Sequence, residues 1–332
     1  MKSFRITLVL LVGVLAGILY GNVQDDDRRA IRYGAEAKYI YRVVDDEGLP
    51  VVGANAHVWF SSYGRKWDNA DWTIKTDANG FFTAAHRLNE RFSVNVYKEG
   101  YYDSSDDIFY LGMMTLPVRD GKWQPYGEER TIVLKKIRKP AALLFKDGRA
   151  RFKVPLYDTW IGFDFEDYDF LPPHGKGRTS DVLFRFHLSR PTHDEYHMSM
   201  EVSFTNNPFA GAYVLKKDPS LLESVYRADT NAVYRQILTY TYDRLPGKGT
   251  VIDELGEDRY LVFRTRTRID GDGNLVSAHY GKLYGQWFFV GPKGMGAAQA
   301  FFNPVANDTN LEDTVSVRHV KMRQKMRCLS RK

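Results

Sequence analysis

The chain has 332 residues, of which 43% are hydrophobic, 27% charged and 14% aromatic. That is globular composition, and the length fits two domains. The single cysteine excludes an intrachain disulfide framework and any Cys-based zinc site. The formal charge is +6, but residues 314–332 hold seven basic residues and no acid, so the body without them stands at −1. A nucleic-acid-binding fold carries its basic face on the folded body, so no nucleic-acid partner is expected.

The N-terminus reads as an address. Lys2 and Arg5 precede an uncharged, mostly apolar run of 15 residues from Ile6 to Tyr20. That is the length of a signal-peptide core and shorter than a spanning helix. Small residues at Ala16, Gly17 and Gly21 then lead to Asp25-Asp26-Asp27. The expectation is a signal peptide over residues 1–21 and export to the periplasm or beyond the cell, with an uncleaved membrane anchor as the alternative. A lipid anchor needs a cysteine at the cleavage point. The only cysteine is Cys328, so none is expected.

Residues 37–136 read as one β-domain. Tyr39 to Val44 and Val51 to Phe60 are strands around the turn Asp45-Asp46-Glu47-Gly48. Thr76-Asp77-Ala78-Asn79-Gly80 is a tight turn, since Asn and Gly tolerate positive φ. Phe92, Val94 and Val96 share one face, and Thr131 to Leu134 closes the unit. Short strands between turn signals predict an antiparallel sandwich. The runs Val44-Asp45-x-x-Gly48-x-Pro50-Val51-x-Gly53-Ala54, Thr76-Asp77-x-x-Gly80-x-Phe82 and Val96-x-x-x-Gly100-Tyr101 resemble the carboxypeptidase regulatory-like domain. The resemblance implies a transthyretin-like β-sandwich, in a family whose members are usually non-catalytic accessories of bacterial secreted proteins. An insert from Ser61 to Trp72 departs from the family pattern. It carries Tyr63, Trp67 and Trp72 with Arg65 and Lys66, a set suited to stacking on a sugar, meeting a partner or packing on the neighbouring domain.

Lys135, Lys136, Arg138, Lys139 and Pro140 read as a solvated linker. Residues 141–313 read as a second antiparallel β-sandwich, and 314–332 as a basic tail. Val182 to Leu188 and Met198 to Phe204 alternate with period two, the mark of half-buried strands. Pro219 to Tyr226 has helical spacing, with Asp218 as N-cap. The runs Gly162-Phe163-Asp164, Arg264-Thr265-Arg266-Thr267 and Tyr280-Gly281-Lys282 resemble uncharacterised secreted bacterial proteins, and no activity comes with that likeness.

The candidate ligand site lies in this second domain. Trp160, Asp164, Glu166, Asp167 and Asp169 precede a loop with His174 and Lys176, broken by Pro172, Pro173, Gly175 and Gly177. Such a stretch runs as a surface loop, because Pro removes a ladder donor and Gly weakens packing. Arg264, Arg266 and Arg268 alternate along one strand and offer countercharge, so Asp164 or Asp169 is expected to pair with Arg264 or Arg266. The pairing is structural as readily as ligand-binding. No calcium loop of EF-hand spacing starts at Asp164 or Asp270. His193-Asp194-Glu195-Tyr196-His197 lacks the helical His-Glu-x-x-His pattern of zinc proteases. No metal, cofactor or named catalytic residue is therefore expected. The functional expectation is an exported non-catalytic protein that binds a glycan or an envelope protein. The alternatives are an envelope-assembly component and a carboxylate-dependent hydrolase. The basic tail is expected to touch anionic surfaces.

Overall fold

Alternating apolar residues and glycine-punctuated turns build an all-β protein. The computed structural model describes residues 28–62, 69–110, 118–148, 151–190, 192, 195–245, 249–253, 256, 258–290 and 293–329. The signal segment, Tyr63, Arg65, Lys66 and Trp67 of the insert, His193 and Asp194 lie outside them. The chain divides into two units: Met1–Ile137 with Pro219–Leu221, and Arg138–Asp218 with Leu222–Lys332.

The first unit opens with a short helix α1 (28–33). Nine strands follow: β1 (Ala35–Asp45), β2 (Asn55–Ser61), β3 (Ala70–Lys75), β4 (Phe81–Leu88), β5 (Arg91–Tyr97), β6 (Ser104–Phe109), β7 (Val118–Arg119), β8 (Lys122–Trp123) and β9 (Glu128–Leu134). One sheet runs β4-β1-β8-β7, with β9 also on β1; the other runs β3-β2-β5-β6. Most pairings are antiparallel, but β1 pairs β9 in parallel from Tyr39↔Glu128 to Asp45↔Leu134. Period-two burial along β1 and β5 sends Tyr39, Tyr41, Phe92 and Val94 into one core. There Tyr41 stacks on Phe82 at 5.1 Å and Tyr39 on Phe92 at 4.5 Å.

Turn chemistry fixes the register of this unit. Gly80 has φ +81°, and a Cβ there would lie 2.5 Å from the Val43 carbonyl, so the position requires glycine. Asp77 Oδ1 accepts the N–H groups of Asn79 and Phe81 at 2.8 Å each. Thr76 Oγ1 donates to Val51 O at 2.6 Å and accepts from Ala54 N at 2.9 Å. Trp72 stacks on Phe60 at 5.3 Å.

The second unit contains β10 (Leu144–Lys146), β11 (Arg151–Lys153), β12 (Ile161–Asp164), β13 (Asp169–Phe170), β14 (Val182–Ser189), β15 (Tyr196–Ser203), β16 (Gly211–Lys216), β17 (Ile237–Leu245), β18 (Gly249–Asp253), β19 (Arg259–Ile269), β20 (Leu275–Phe289), β21 (Gly294–Phe302) and helix α2 (Thr314–Leu329). Its sheets run β13-β12-β14-β15-β17-β18 and β10-β21-β20-β19-β16, with β11 also on β21. Phe163, Phe184, Phe263, Leu283 and Trp287 belong to one buried cluster. A second cluster, with Tyr260, Val262, Tyr280, Tyr284, Phe301 and Leu311, holds the alternate residues of β19 and β20. Apolar packing on both faces explains why β20 is buried almost continuously instead of alternating.

Two sequence expectations are corrected here. Residues 219–226 form no helix; Ser220 bridges Ser104, and Leu221 N donates to Asp103 O at 2.8 Å. Backbone pairing outweighed a weak helical spacing. The basic tail begins as a docked helix. Asp313 caps it by accepting Ser316 N at 2.7 Å, and Val320 is buried.

Candidate functional site

The acidic loop is built around Arg266. Asp164 ends β12 with 1% exposure, and Asp181, just before β14, has none. Arg266 Nε and Nη2 reach the two oxygens of Asp181 at 2.8 and 3.0 Å. Nη2 also reaches Asp164 Oδ1 at 3.0 Å, and Nη1 reaches Glu166 Oε2 at 2.6 Å. The guanidinium lies 4.8 Å over the Phe302 ring. This planar fork with bidentate pairing is the geometry in which arginine binds carboxylates best.

Backbone donors complete the cluster. Asp164 accepts N–H groups from Glu166 at 2.8 Å, Asp167 at 3.2 Å, Arg178 at 2.8 Å and Thr179 at 2.7 Å. Burial alone would raise its carboxyl, but these donors outweigh burial and hold it below the usual aspartate range. Asp181 goes the other way: burial raises it despite the bonds from Arg266 and Phe165 N. Burial would also weaken the charge on Arg266, yet its bonds to Asp181 and Glu166 hold it above its ordinary value.

The arginines of β19 do not share one face as period two predicts. The β19–β20 pairing shifts register between Thr265 and Arg268, and Arg266 has φ 49°. This bulge lets neighbours Thr265 and Arg266 both reach Asp181, since Thr265 Oγ1 donates to Asp181 O at 2.8 Å. Arg264 is held elsewhere, by Phe209 O at 2.8 Å, Thr230 O at 3.1 Å and the Tyr234 ring at 3.9 Å.

The other candidate residues serve the loop itself. Asp169 accepts Phe170 N at 2.8 Å and Lys176 N at 3.0 Å. A Cβ at Gly175 would collide with the Phe170 carbonyl and the Asp169 carboxylate, so glycine allows this close approach. Asp167 takes a bidentate grip from Arg178 at 2.7 and 3.0 Å. His174 and the Lys176 side chain are exposed. Trp160 lies apart, beneath the Arg185 guanidinium at 4.5 Å. The acids of this loop are thus held by arginines and backbone donors.

Two polar clusters went unread in the sequence. His187 contacts Asp158 at 2.5 Å through Nδ1 and Glu201 at 3.1 Å through Nε2, so both ring nitrogens are engaged. Burial would raise Glu201, but His187 and Arg185 hold it below the usual range. The second cluster is buried: Lys282 Nζ meets Ser224 Oγ at 2.9 Å, Tyr284 OH at 2.8 Å and Asp313 Oδ2 at 2.8 Å. Burial raises the Tyr284 phenol well above its ordinary value. Among the described residues no group of three His, Cys, Asp or Glu is placed to hold a metal ion.

The far half of α2 is an exposed basic surface. Beyond buried Val320, the side chains of Lys321, Met322, Arg323, Lys325 and Met326 are exposed, Met322 by 51% and Met326 by 56%. Spacing of four puts the two methionines on one helical face between cations. Among the described residues no helix is long and apolar enough to cross a membrane.

No family model and no curated protein matches the chain. Among solved structures it is similar to wild-type catechol 1,2-dioxygenase from Acinetobacter radioresistens, at 14% identity and TM-score 0.26 over 33% of this chain and 55% of that one. It is similar to 3-chlorocatechol 1,2-dioxygenase from Rhodococcus opacus 1CP, at 15% identity and TM-score 0.24 over 31% and 60%. A third is hydroxyquinol 1,2-dioxygenase from Pseudomonas putida DLL-E4, at 16% and 0.24 over 31% and 57%. These matches are enzymes, not binding modules. Against the expectation of a non-catalytic glycan- or partner-binding protein, which is corrected here, the proteins that the chain matches are named as dioxygenases. At such scores the likeness transfers neither their reaction nor their site to this chain.

Proposed function

We propose that this chain is an exported two-unit β-protein that meets an anionic lipid surface through α2. The observation that carries this reading is the exposed row of Lys321, Arg323 and Lys325 around Met322 and Met326, on a helix whose first turns are docked. Each basic residue near an anionic membrane adds about 1 kcal/mol. The charged n-region and 15-residue apolar run at the N-terminus support export.

The first unit supports the resemblance to a carboxypeptidase regulatory-like domain through its turns. Gly48, Gly53, Gly80 and Gly100 all take positive φ, and Thr76 and Asp77 hold their turn as described.

The test is sedimentation of the full mature chain with vesicles. Binding to vesicles containing anionic phospholipid, and release by salt, supports the reading. Equal partition onto purely zwitterionic vesicles overturns it. N-terminal sequencing of the exported form tests the address: a start between about residues 17 and 25 is expected from the small-residue rule.

A further inference from the structure

His187 joins three separate pieces of the second unit. It lies on β14 and points away from the core that its buried neighbour Phe186 enters. Glu201 projects from β15 on the same face, since His187 pairs with Ser199 and Arg185 with Glu201. Asp158 comes from the loop before β12, and its N–H donates to Phe186 O at 2.7 Å. The imidazole sits between the two acids, with Nδ1 2.5 Å from Asp158 Oδ1 and Nε2 3.1 Å from Glu201 Oε2. Arg185, on the same strand as His187, meets Glu201 at 2.6 Å. One row further along the sheet, His197 lies 3.2 Å from Asp243 and 3.7 Å from Glu195.

This geometry depends on protons. A neutral imidazole has one N–H and one bare nitrogen, and only the imidazolium donates from both. Burial would raise Glu201, but His187 and Arg185 hold it below its usual range, so it faces the ring as a carboxylate. With the ring neutral, one of the two acids meets a lone pair and is repelled. Glu201 then keeps Arg185, whereas Asp158, with 72% of its side chain exposed, turns to water. Asp158 also has φ 58°, a left-handed conformation that Asp and Asn tolerate best but that still costs energy. The bend is therefore held by its contacts and relaxes when one is lost. Trp160, two residues on, rests under the Arg185 guanidinium at 4.5 Å.

We propose that His187 is a pH-sensitive clamp: its protonation fastens the loop of Asp158 and Trp160 onto β14 and β15, and its deprotonation frees that loop. The clamp does not depend on the role of α2. Histidine is the side chain that changes charge between about pH 5 and 8. Proton binding favours the closed loop, so closure is strongest at the acid end and is lost as pH rises. The test is amide hydrogen exchange in the ¹⁵N-labelled mature chain at about pH 5.5 and 8, each rate taken relative to the intrinsic rate at that pH. Protection of the Asp158 amide should fall about fivefold at the higher pH, the equivalent of about 1 kcal/mol for an exposed pair. His187→Gln and Asp158→Asn should each remove this dependence. Asn accepts the same φ, so the second variant changes the charge and leaves the bend. His197→Gln should retain the dependence. Equal protection of the parent at both pH values, a dependence that survives in either of the first two variants, or its loss in His197→Gln overturns the proposal.

Discussion

Lys282 Nζ lies 2.8 Å from Asp313 Oδ2, and neither side chain has more than 1% exposure. The pair joins the middle of β20 to the residue that caps α2, so the helix start is fixed to the sheet through a charge inside the protein. Ser224 and Tyr284 take further Lys282 donors, which is what makes a buried ammonium tolerable. Replacing Lys282 by Met leaves Asp313 buried without its cation and is expected to cost about 3–5 kcal/mol. Adding Asp313→Asn should return part of that loss. Urea denaturation of both variants measures it, and a cost below about 1 kcal/mol for the single variant would be typical of exposed pairs and contradict this account.

Arg266 is expected to matter far more than the exposed loop residues. Arg266→Met strands the buried carboxylates of Asp164 and Asp181 and should cost about 3–5 kcal/mol. Asp169→Ala loses bonds to two backbone donors and should cost about 1 kcal/mol each. His174→Ala, at an exposed position, should change stability by less than about 0.5 kcal/mol. Denaturation midpoints rank the three.

Acid stability follows from the carboxylates that are held low. Asp45 and Asp164 sit below the usual range: both are buried, and the Lys136 ammonium with backbone donors for Asp45, and backbone donors for Asp164, outweigh that burial. A lowered folded value contributes stability that is present above the unfolded value, about 3.9, and lost as pH falls through the folded one. Asp181 is raised by burial, so its contribution has the opposite sign and is lost as pH rises from the unfolded to the folded value. Urea midpoints measured from acid to neutral pH should therefore fall less steeply below about pH 4 in Asp164→Asn than in the parent. An unchanged acid limb would mean that Asp164 is not held low.

The all-β class was legible because β14 and β15 alternate over whole strands: Phe184 and Phe186 face in, while Arg185 and His187 face out. Period two fails wherever a strand is interrupted or covered twice. The bulge at Arg266 separates it from Arg264, and nothing in Arg264-Thr265-Arg266-Thr267 marks a positive φ. Lys282 hides in a strand buried on both faces, where a lysine reads as an exposed residue. Helix α2 reads as a tail in sequence because seven basic residues without an acid suggest a solvated run. The deciding cap, Asp313, lies before the basic run. The acidic loop was found by composition, but composition does not tell an acid that waits for a ligand from one already bonded to four backbone donors.

The reading of α2 stands or falls on charge reversal. Lys321→Glu, Arg323→Glu and Lys325→Glu, made together in the mature chain, change only exposed side chains and should leave thermal unfolding nearly unchanged. Partition onto vesicles containing anionic phospholipid is then measured against salt for parent and variant. The account predicts salt-sensitive binding by the parent and a loss of at least about a hundredfold in the variant, the equivalent of about 3 kcal/mol from three basic residues. Equal binding by the two proteins would contradict it.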